Sequence, residues 1–409
     1  MVAKDRSAGD LYRGRFVDSP SGPNDGGRMP EMDALRSRLV IVADAHEDSR
    51  IIYQGAGGEG KKRRPIIGEK FMQFHIILEA NNSHERVAEL ARLAEGYGIA
   101  GMWSSNMHDS RDPFINFTEA ARTTGKIKLG PVAVSPYELH PLKMANALLT
   151  LNEISGGRAH IGVGAGDGGT ATAMGMKAVR RVRAVRECVE IIEAAATAEP
   201  VTYKGEMYQV MYYHSSWVTQ PPPDVFVCAG GPQMIRSSAK YAQGIFVGDH
   251  LPEHVARINE VIRQEQASIG RDNENFRLLN FWAWHVKENQ DDARAEARIW
   301  LAMRATPWPA YYHHDILPAE EMQVVYDNIM DINKAFYNRD PDIKSVPRDI
   351  LDRLVDQCSS TSAISDIDHE IDRIRRFEAG GLTDIALRIY ENPEASIRLI
   401  GERVMPAFQ

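Results

Sequence analysis

The sequence has little of what secreted, membrane-spanning or metal-binding proteins carry. Its 409 residues include only three cysteines, Cys188, Cys228 and Cys358, and none of them has the short spacing of a zinc or redox pair. No stretch approaches the roughly 20 apolar residues that a transmembrane helix needs. The polar N-terminus lacks an apolar signal-peptide core. We therefore expect a cytoplasmic protein with reduced thiols, no metal site and no membrane partner.

Basic residues are also fewer than acidic residues. Lysine and arginine total 48 residues against 56 aspartates and glutamates, which gives a net charge of −8. This balance argues against non-specific binding to nucleic acid or to anionic membranes. Hydrophobic residues make up 43% of the chain, enough for a globular core. A small-molecule substrate is the expected partner.

Residues 1–71 differ in composition from the rest of the chain. The stretch 19–27 is rich in Ser, Pro, Gly, Asn and Asp, and 55–64 reads GAGGEGKKRR, which is typical of a flexible basic linker. Only Leu39–Ala43 has the pattern of a short strand. Because this region has too few apolar positions for a core, we predict a flexible extension over 1–71 and a folded domain over 72–409.

From Met72 onward, short apolar runs alternate with amphipathic helical runs, the pattern of βα units around a parallel sheet. The eight predicted strands are Phe74–Glu79, Ala100–Trp103, Ile127–Val134, Ala159–Gly164, Val225–Ala229, Gly244–Gly248, Arg277–Trp284 and Asp384–Ile389. The predicted helices between them include Ser83–Tyr97, Phe114–Thr124, Pro141–Ile154, Val179–Ala196, Pro232–Ala242, Pro252–Ile269 and Asp291–Met303. Eight such strands favour a closed (β/α)8 TIM barrel over an open doubly wound sheet.

The interval 306–361 is too long for a simple connection between two elements of a barrel. It contains helical patterns of its own, at Ala319–Ala335 and Pro347–Gln357. We therefore predict an insertion after the seventh βα unit, at or over the mouth of the barrel.

A first glycine-rich turn follows the fourth predicted strand. Gly164, Gly166 and Gly169 formally match the dinucleotide pattern G-x-G-x-x-G, and Glu187 lies about 20 residues further on. That pattern normally opens the first βα turn of a Rossmann fold, whereas three strands precede it here. The favoured interpretation is a barrel-mouth loop, Gly164–Ala165–Gly166, that lets a ring or substrate approach the backbone. A simple tight turn remains the alternative.

A second glycine-rich turn follows the fifth predicted strand. The strand ends at Ala229, and Gly230, Gly231 and Pro232 lead into a helix. Proline fits the first helical position because its missing N–H would be unused there. The free amides of Gly230, Gly231 and Gln233 would point at an anion, reinforced by the helix dipole. We predict an anion site at this turn.

Polar residues near the strand ends are candidates for chemistry. The two-residue period of a strand places Glu79 on the same face as His75 and Ile77, toward the mouth. A carboxylate there could act as an acid or base, and a plain strand-end glutamate is the equal alternative. The loop after the second strand gathers further polar side chains, namely Ser104, Asn106, His108, Asp109, Arg111 and Asp112.

Other polar residues favour structural roles. His140 precedes a helix start, where capping or packing is favoured over catalysis. The basic helix Lys177–Arg186 is favoured as a solvated face over a cradle for phosphates or carboxylates. The adjacent residues His313 and His314 lack helical spacing for a metal site, and no Ser-His-Asp signature is found.

Taken in order, these segments resemble the luciferase-like superfamily. The branch that looks closest is that of the coenzyme F-420-dependent methylenetetrahydromethanopterin reductases and their bacterial relatives. The resemblance does not cover residues 1–71, and it is more specific to the superfamily than to one reaction. Its matching stretches are AELARLAEGYGIAGMW (88–103), SRDPF (110–114), KLGPVAVSPYELHP (128–141), LNEISGGRAHIGVGAGD (151–167), AGGPQMIRSSAKYAQG (229–244) and SIRLIGERVMPAF (396–408).

The resemblance implies a TIM barrel that binds coenzyme F-420 or FMN at its C-terminal mouth. Ala229, Gly230 and Gly231 would hold the cofactor phosphate, and the segment Val132–Ala133–Val134 would back the ring. F-420 relatives carry a bulged, non-proline cis peptide bond here, which corresponds to Val132–Ala133 in this chain. Relatives commonly form homodimers through helices near strands two and three.

The sequence also departs from the relatives at reaction-determining positions. Relatives often have Asp-His after the second strand, where this chain has Asn106 and Met107, with His108 displaced by one. The strand-one glutamate of the reductases aligns with Ile77. Glu79, two positions later, is the next residue that faces the same side of the strand. Methanopterin is therefore poorly supported as the substrate.

We expect a hydride-transfer oxidoreductase. Glu79 or His108 would move a proton, Asn106 would donate a hydrogen bond to the ring or substrate, and Tyr137 with part of 306–361 would line the pocket. One alternative is an FMN-dependent, luciferase-like monooxygenase that uses oxygen. A non-catalytic flavin-binding protein is the second alternative.

Overall fold

A barrel of eight parallel strands forms the centre of the computed structural model, which describes residues 41–42, 71–166, 168–272, 274–305 and 315–409. We number these strands β1 (Gln73–Leu78), β2 (Gly101–Ser105), β3 (Lys128–Val132), β4 (His160–Val163), β5 (Asp224–Cys228), β6 (Gly244–Gly248), β7 (Arg277–Trp284) and β8 (Asp384–Ile389). The predicted bounds of β6, β7 and β8 are confirmed, and the predicted ends of the other strands differ by at most two residues.

The strand order in the sheet is β3-β2-β1-β8-β7-β6-β5-β4, so β3 and β4 are its two edges. Backbone hydrogen bonds join these edges. The Leu129 N–H donates to the Arg158 carbonyl at 3.1 Å, and the Val134 N–H donates to the Gly162 carbonyl at 2.9 Å. These bonds close the sheet, and the prediction of a TIM barrel is confirmed.

Helices follow the strands along the chain. They are His84–Gly96, Pro113–Asn116, Thr118–Thr123, Pro141–Ile154, Gly168–Ala173, Arg181–Ala195, Pro232–Tyr241, Pro252–Ser268, Gln290–Ile299, Ala302–Ala305, Ala319–Asp327, Ile329–Asn338, Arg348–Cys358, Ile367–Ala379 and Pro393–Leu399. The described residues also form short helical turns at Ile364–Asp366, Ile400–Val404 and Met405–Phe408. Within the described ranges, no helix has the length and apolar character needed to cross a membrane.

Local sequence accounts for several helix starts. One predicted helix is corrected by the structure. The side chain of Ser83 accepts a hydrogen bond from the Arg86 N–H, and proline occupies the first turn of the helices that begin at Pro141, Pro232 and Pro252. The single helix predicted for 319–335 is wrong, because the structure breaks it at Asn328 into two helices.

An antiparallel hairpin, Val201–Lys204 with Gln209–Tyr213, was not predicted. The buried carboxylate of Glu187 holds its turn by accepting hydrogen bonds from the backbone N–H groups of residues 206, 207 and 208, at 2.9–3.0 Å. Glu187 is therefore a structural residue and does not serve the Rossmann pattern. Ile41–Val42 pairs in parallel with the first strand of this hairpin, inside the predicted strand Leu39–Ala43. The remainder of the predicted 1–71 extension, apart from Phe71, lies outside the described residues.

Charged side chains fill the N-terminal end of the barrel interior. The Nε2 of His75 lies 2.9 Å from Asp384 Oδ1, and Trp103 Nε1 donates to His75 Nδ1 at 3.1 Å, so the histidine is a neutral tautomer that donates to Asp384. Arg277 bonds Asp384 and reaches Asp224 at 3.1 Å. Burial opposes ionisation of Asp384, but Arg277 and His75 more than offset it and hold its pKa well below the usual range.

Aromatic side chains fill the middle of the barrel above this charged layer. Trp103 stacks on His160 with a centroid distance of 3.4 Å and meets Phe246 at 5.2 Å. Ile77, Leu279 and other buried residues complete this layer, so the barrel is closed below its C-terminal mouth.

We expect Asp384→Asn to destabilise the fold by about 2–3 kcal/mol near neutral pH, because Arg277 and His75 lose their hydrogen bonds to a fully buried carboxylate, while Arg277 keeps Asp224 as its second partner. The native pKa of Asp384 is depressed, so its carboxylate contributes stability above its ordinary pKa and loses that contribution as the pH falls. Urea unfolding should therefore show a smaller difference between the variant and the original protein at acidic pH.

The matched control is Asp342→Asn, which removes only an exposed, 3.7 Å pairing with Lys344 and should cost under about 1 kcal/mol. An Asp384→Asn effect as small as that of the control would contradict the assigned role.

Candidate functional site

The C-terminal mouth of the barrel is lined on one side by small residues. Phe226 and Phe246 point into the core, so Cys228 and Gly248, two residues further along β5 and β6, face inward at the mouth. Gly162 on β4 also faces inward, since an added Cβ would lie 2.8 Å from both Cys228 Sγ and Val132 Cγ2. Cys228 is only half-buried and Gly248 is exposed, which leaves the mouth open along β3 to β6.

The chain bulges where β3 ends at this mouth. The Val132–Ala133 peptide bond is cis, as the resemblance implies. The Val132 carbonyl accepts a hydrogen bond from the Asn106 N–H at 3.2 Å, while Val134 donates to Gly162 and accepts from the Gly164 N–H at 3.0 Å. The segment Val132–Val134 is thus held between β2 and β4.

Glycines on β4 make room for this bulge. A Cβ on Gly164 would lie 3.0 Å from the Ala133 Cβ, so Ala133 would have to shift by a few tenths of an ångström to make room. Gly166 has φ +82°, a conformation that favours glycine, and an added Cβ would lie 3.1 Å from Ser135 Oγ. Gly164, Ala165 and Gly166 therefore pack beside the bulge, and Gly162 is a further required glycine that sequence reasoning missed.

The turn after β5 has glycines that packing does not explain. An added Cβ on Gly230 or Gly231 would meet no atom within 4 Å, and neither residue has a positive φ. Gly231 is the N-cap of the helix Pro232–Tyr241, and Gln233 is exposed in its first turn. Ala229 is buried, and its N–H donates to the Phe246 carbonyl at 3.0 Å. Open space in front of a helix N-terminus is what an anion needs to reach the backbone amides.

Glu79 lies on the opposite side of the mouth, at the end of β1. Arg388 on β8 donates to Glu79 Oε1 through Nε at 2.6 Å. The Arg388 side chain is buried, and its guanidinium carbon lies 5.5 Å from the Phe281 ring centroid and 5.4 Å from that of Tyr390. The structure thus gives Glu79 a fixed cationic partner that the sequence did not predict.

Asn106 and His108 occupy different surroundings in the loop after β2. The Asn106 carboxamide donates to Glu138 Oε2 at 2.7 Å and lies 3.5 Å from the Ala133 carbonyl, so it is attached to the bulge. His108 is exposed. No hydrogen bond between the side chains of Glu79, Asn106 and His108 is present in the part of the chain that the structure describes.

A buried ion pair beside Glu79 and Arg388 was not anticipated from the sequence. Asp249, which directly follows β6, accepts a hydrogen bond from Arg304 Nη1 at 2.8 Å. Arg304 also bonds the Tyr390 hydroxyl and lies over the Phe281 ring at 4.5 Å. An aspartate directly after a buried barrel strand was a usable signal for Asp249. The sequence had no comparable signal for Arg304, because it lies 55 residues from Asp249 in the chain.

Burial dominates the electrostatics of this pair. It raises the pKa of Asp249 to about 6, against the opposing charge of Arg304. Burial also raises the pKa of Tyr390 to about 12. For Arg304 the balance is reversed: burial disfavours its charge, but Asp249 and Tyr390 raise its pKa, so it stays protonated.

The remaining candidates have structural roles. His140 is exposed and caps the helix Pro141–Ile154, with Nδ1 accepting from the Leu142 N–H at 3.2 Å. In the predicted basic helix, Arg180 and Arg183 both pair with Glu206, which is consistent with a solvated face.

The other predictions concern cysteines, metals and Tyr137. All three cysteines are free. Tyr137 donates through its hydroxyl to the Val179 carbonyl. Among the described residues no cluster could hold a metal ion, and His313 and His314 lie outside them.

Comparisons with known proteins support the barrel fold. Residues 71–384 match the family described as luciferase-like monooxygenase. The chain is 28% identical over 339 residues to 5,10-methylenetetrahydromethanopterin reductase from Archaeoglobus fulgidus, covering 82% of this chain and 99% of the relative. It is also 28% identical over 239 residues to limonene 1,2-monooxygenase from Rhodococcus erythropolis, covering 54% of this chain and 60% of the relative.

A solved structure shares the fold. The coenzyme F-420-dependent tetrahydromethanopterin reductase from Methanopyrus kandleri superposes with a TM-score of 0.72 at 24% identity, covering 83% of this chain and all of that chain. At this level of identity the likeness supports the architecture.

The contacts of the bulge predict that alanine lowers the stability of the protein at Gly162 but not at Gly248. Gly162→Ala should destabilise the protein by about 1–3 kcal/mol, because its Cβ would collide with Val132 and Cys228. Gly248→Ala is the matched control, since the nearest atom to its Cβ would be 3.9 Å away. Denaturant unfolding measures both effects, and equal stability of the two variants would argue against tight packing under the bulge.

Proposed function

Because the chain belongs to the luciferase-like monooxygenase family, we propose that it is an oxidoreductase that holds coenzyme F-420 or FMN at its barrel mouth and transfers a hydride to or from a small organic substrate. The observation that carries this proposal is the open glycine turn after β5. Gly230 and Gly231 are needed neither for backbone conformation nor for packing, and a ligand phosphate accounts for the space they leave.

The chain offers complementary surfaces for the two ends of such a cofactor. The N–H groups of Gly230, Gly231 and Gln233 would bind the phosphate at the start of the helix Pro232–Tyr241, with Ala229 fixing the strand before it. Neighbouring strands β3 and β4 end at the same face of the barrel. There Val132, Ala133 and Val134 would support one face of the ring, beside Gly164, Ala165 and Gly166.

When bound, the cofactor supplies the ring position that accepts or donates the hydride. Glu79, held by Arg388, would accept or return the proton that accompanies this transfer. Asn106, held at the bulge by Glu138, would donate a hydrogen bond to the ring or the substrate. His108 is exposed on the same loop and is the second candidate for moving the proton.

An oxygen-using, FMN-dependent monooxygenase is the second candidate, supported by the likeness to limonene 1,2-monooxygenase. Hydride transfer with F-420 is favoured, because the match to the reductase extends over 99% of that relative. A flavin-binding protein without catalysis is the third.

Turnover assays distinguish these candidates. Purified protein would be mixed with reduced F-420 or reduced FMN and a panel of ketones, aldehydes and imines, with and without oxygen. We expect cofactor oxidation without oxygen that depends on the organic substrate. Substrate-dependent oxygen consumption would instead identify a monooxygenase, and binding without turnover would identify the non-catalytic protein.

The open turn predicts the effect of Gly231→Val on cofactor binding. Gly231 has φ −112° and ψ 155°, which valine adopts readily, so the stability loss should be about 1 kcal/mol or less. The new side chain would fill the space in front of the helix, and cofactor affinity should fall about tenfold or more.

Isothermal titration with F-420 and FMN measures this loss. Gly96→Ala is the control, since its Cβ would also meet open space, on a helix outside the mouth. If Gly231→Val bound the cofactor with unchanged affinity, this turn would not be the phosphate site.

The two proton-transfer candidates are separated by Glu79→Gln and His108→Gln. Glutamine keeps an acceptor for Arg388 but cannot take up the proton, so kcat should fall about 100-fold or more while cofactor affinity stays within about twofold. His108→Gln should leave kcat nearly unchanged. The reverse pattern, with His108→Gln impaired and Glu79→Gln active, would transfer the role to His108.

A further inference from the structure

We infer that the buried pair Asp249–Arg304 is a substrate subsite for an uncharged group that both donates and accepts a hydrogen bond, such as a carboxamide or a hydroxyl. This inference rests on the proposed function, since it assigns substrate chemistry to the same barrel mouth. The pair was not predicted from the sequence, and it depends on contacts that the fold makes between β6, β7, β8 and the helix Ala302–Ala305.

The backbone fixes Asp249 in an uncommon conformation. Asp249 has φ +57°, and its N–H donates to the Phe281 carbonyl at 2.9 Å. The Asn280 carboxamide accepts from the His250 N–H at 3.3 Å and donates to the His250 carbonyl at 3.0 Å, so the turn is bonded to β7. A positive φ outside glycine persists only where the surroundings fix it, and such residues cluster at functional sites.

Aromatic rings hold Arg304 from two directions. Its guanidinium lies 4.5 Å from the Phe281 ring centroid and bonds the Tyr390 hydroxyl. Tyr390 in turn stacks on His285 at 4.5 Å, and His285 Nδ1 lies 2.7 Å from Glu296 Oε2. Both members of the pair are therefore preorganised before any ligand arrives.

Each member keeps one polar atom without a partner. Asp249 Oδ1 and Arg304 Nε are both buried, and neither has a hydrogen-bond partner among the described residues. Buried polar atoms are nearly always paired in folded proteins, and exceptions call for a functional explanation. Here the unused pair consists of one acceptor and one donor on adjacent side chains.

The surrounding charges are already balanced. Arg304 faces Asp249, and Arg388, which lies near the same Phe281 ring, faces Glu79. Burial lowers the pKa of His250 to about 3, so this neighbour is neutral. Burial raises the pKa of Asp249 to about 6, so well above that pH its carboxylate is ionised and offsets Arg304.

Beyond this ring, Lys287 is paired with Glu296 at 2.7 Å. Among the described residues, a charged ligand group would therefore find no unmatched counter-charge at this pair. A neutral group that donates to Asp249 Oδ1 and accepts from Arg304 Nε would leave the charges balanced.

Three ligands of one shape test this. Benzamide, benzoate and benzamidine are neutral, anionic and cationic, and their binding to the full-length protein would be titrated by saturation-transfer NMR near pH 8, with and without saturating F-420 or FMN. We expect benzamide to bind about tenfold more tightly than either charged ligand, because each of those loses one hydrogen bond and leaves a charge unmatched.

Two substitutions should reverse this order in opposite directions. Asp249→Asn leaves the Arg304 charge unmatched and should make benzoate the preferred ligand. Arg304→Gln leaves the Asp249 charge unmatched and should make benzamidine the preferred ligand. The matched control is Asp352→Asn, which removes the ion-pair partner of the equally buried Arg298 on the outer helices and should keep the original order.

The outcomes separate this inference from the proposed function. Absence of benzamide binding, preference for a charged ligand in the original protein, or an unchanged order in a folded Asp249→Asn or Arg304→Gln variant would overturn the subsite. Circular dichroism establishes folding, and either variant suffices if the other does not fold. Cofactor binding without benzamide selectivity refutes the subsite alone, whereas selectivity without binding of F-420 or FMN refutes the proposed function.

Discussion

The closure of the barrel between β3 and β4 is the constraint on which the rest of the structure depends. Val134 forms hydrogen bonds to β4 through both its N–H and its carbonyl, with Gly162 and Gly164 as partners. Val132 and Ala133 pack against the same two glycines. A side chain at either glycine would force its neighbours, Val132 and Cys228 or Ala133, to shift. The same contacts that complete the sheet therefore also hold the half-buried Val132 and Ala133 at the mouth, so the fold and the candidate ring site have one physical origin.

The polarity of the interior changes along the barrel axis. At the N-terminal end, Arg277, Asp384 and His75 form a satisfied hydrogen-bonded layer, and above it Trp103 and its aromatic neighbours exclude water. At the C-terminal end the residues divide into two sides. The β3 to β6 side offers glycines and backbone, and the rest of the mouth carries the ion pairs Glu79–Arg388 and Asp249–Arg304. A ring would lie against the first side and face the second, which is why the substrate is sought near the charged side.

Sequence patterns predicted the elements better than the contacts between them. The apolar runs of β6, β7 and β8 have clear ends, so their bounds were predicted directly. The hairpin Val201–Tyr213 was missed because its turn depends on Glu187, a contact from a distant helix. Glu79 and Arg388 are 309 residues apart in the chain, a separation that no periodicity reveals. The glycines at 164 and 231 look alike in sequence, and only their surroundings distinguish a packing contact from open space.

The central claim is that the glycine turn after β5 and the bulge after β3 together hold a flavin or deazaflavin. A titration of the purified full-length protein with F-420 and with FMN, followed by absorbance and fluorescence, tests it directly. The account predicts saturable binding of one cofactor per barrel for at least one of the two, with a perturbed ring spectrum. If neither compound bound, the account of this site would be contradicted.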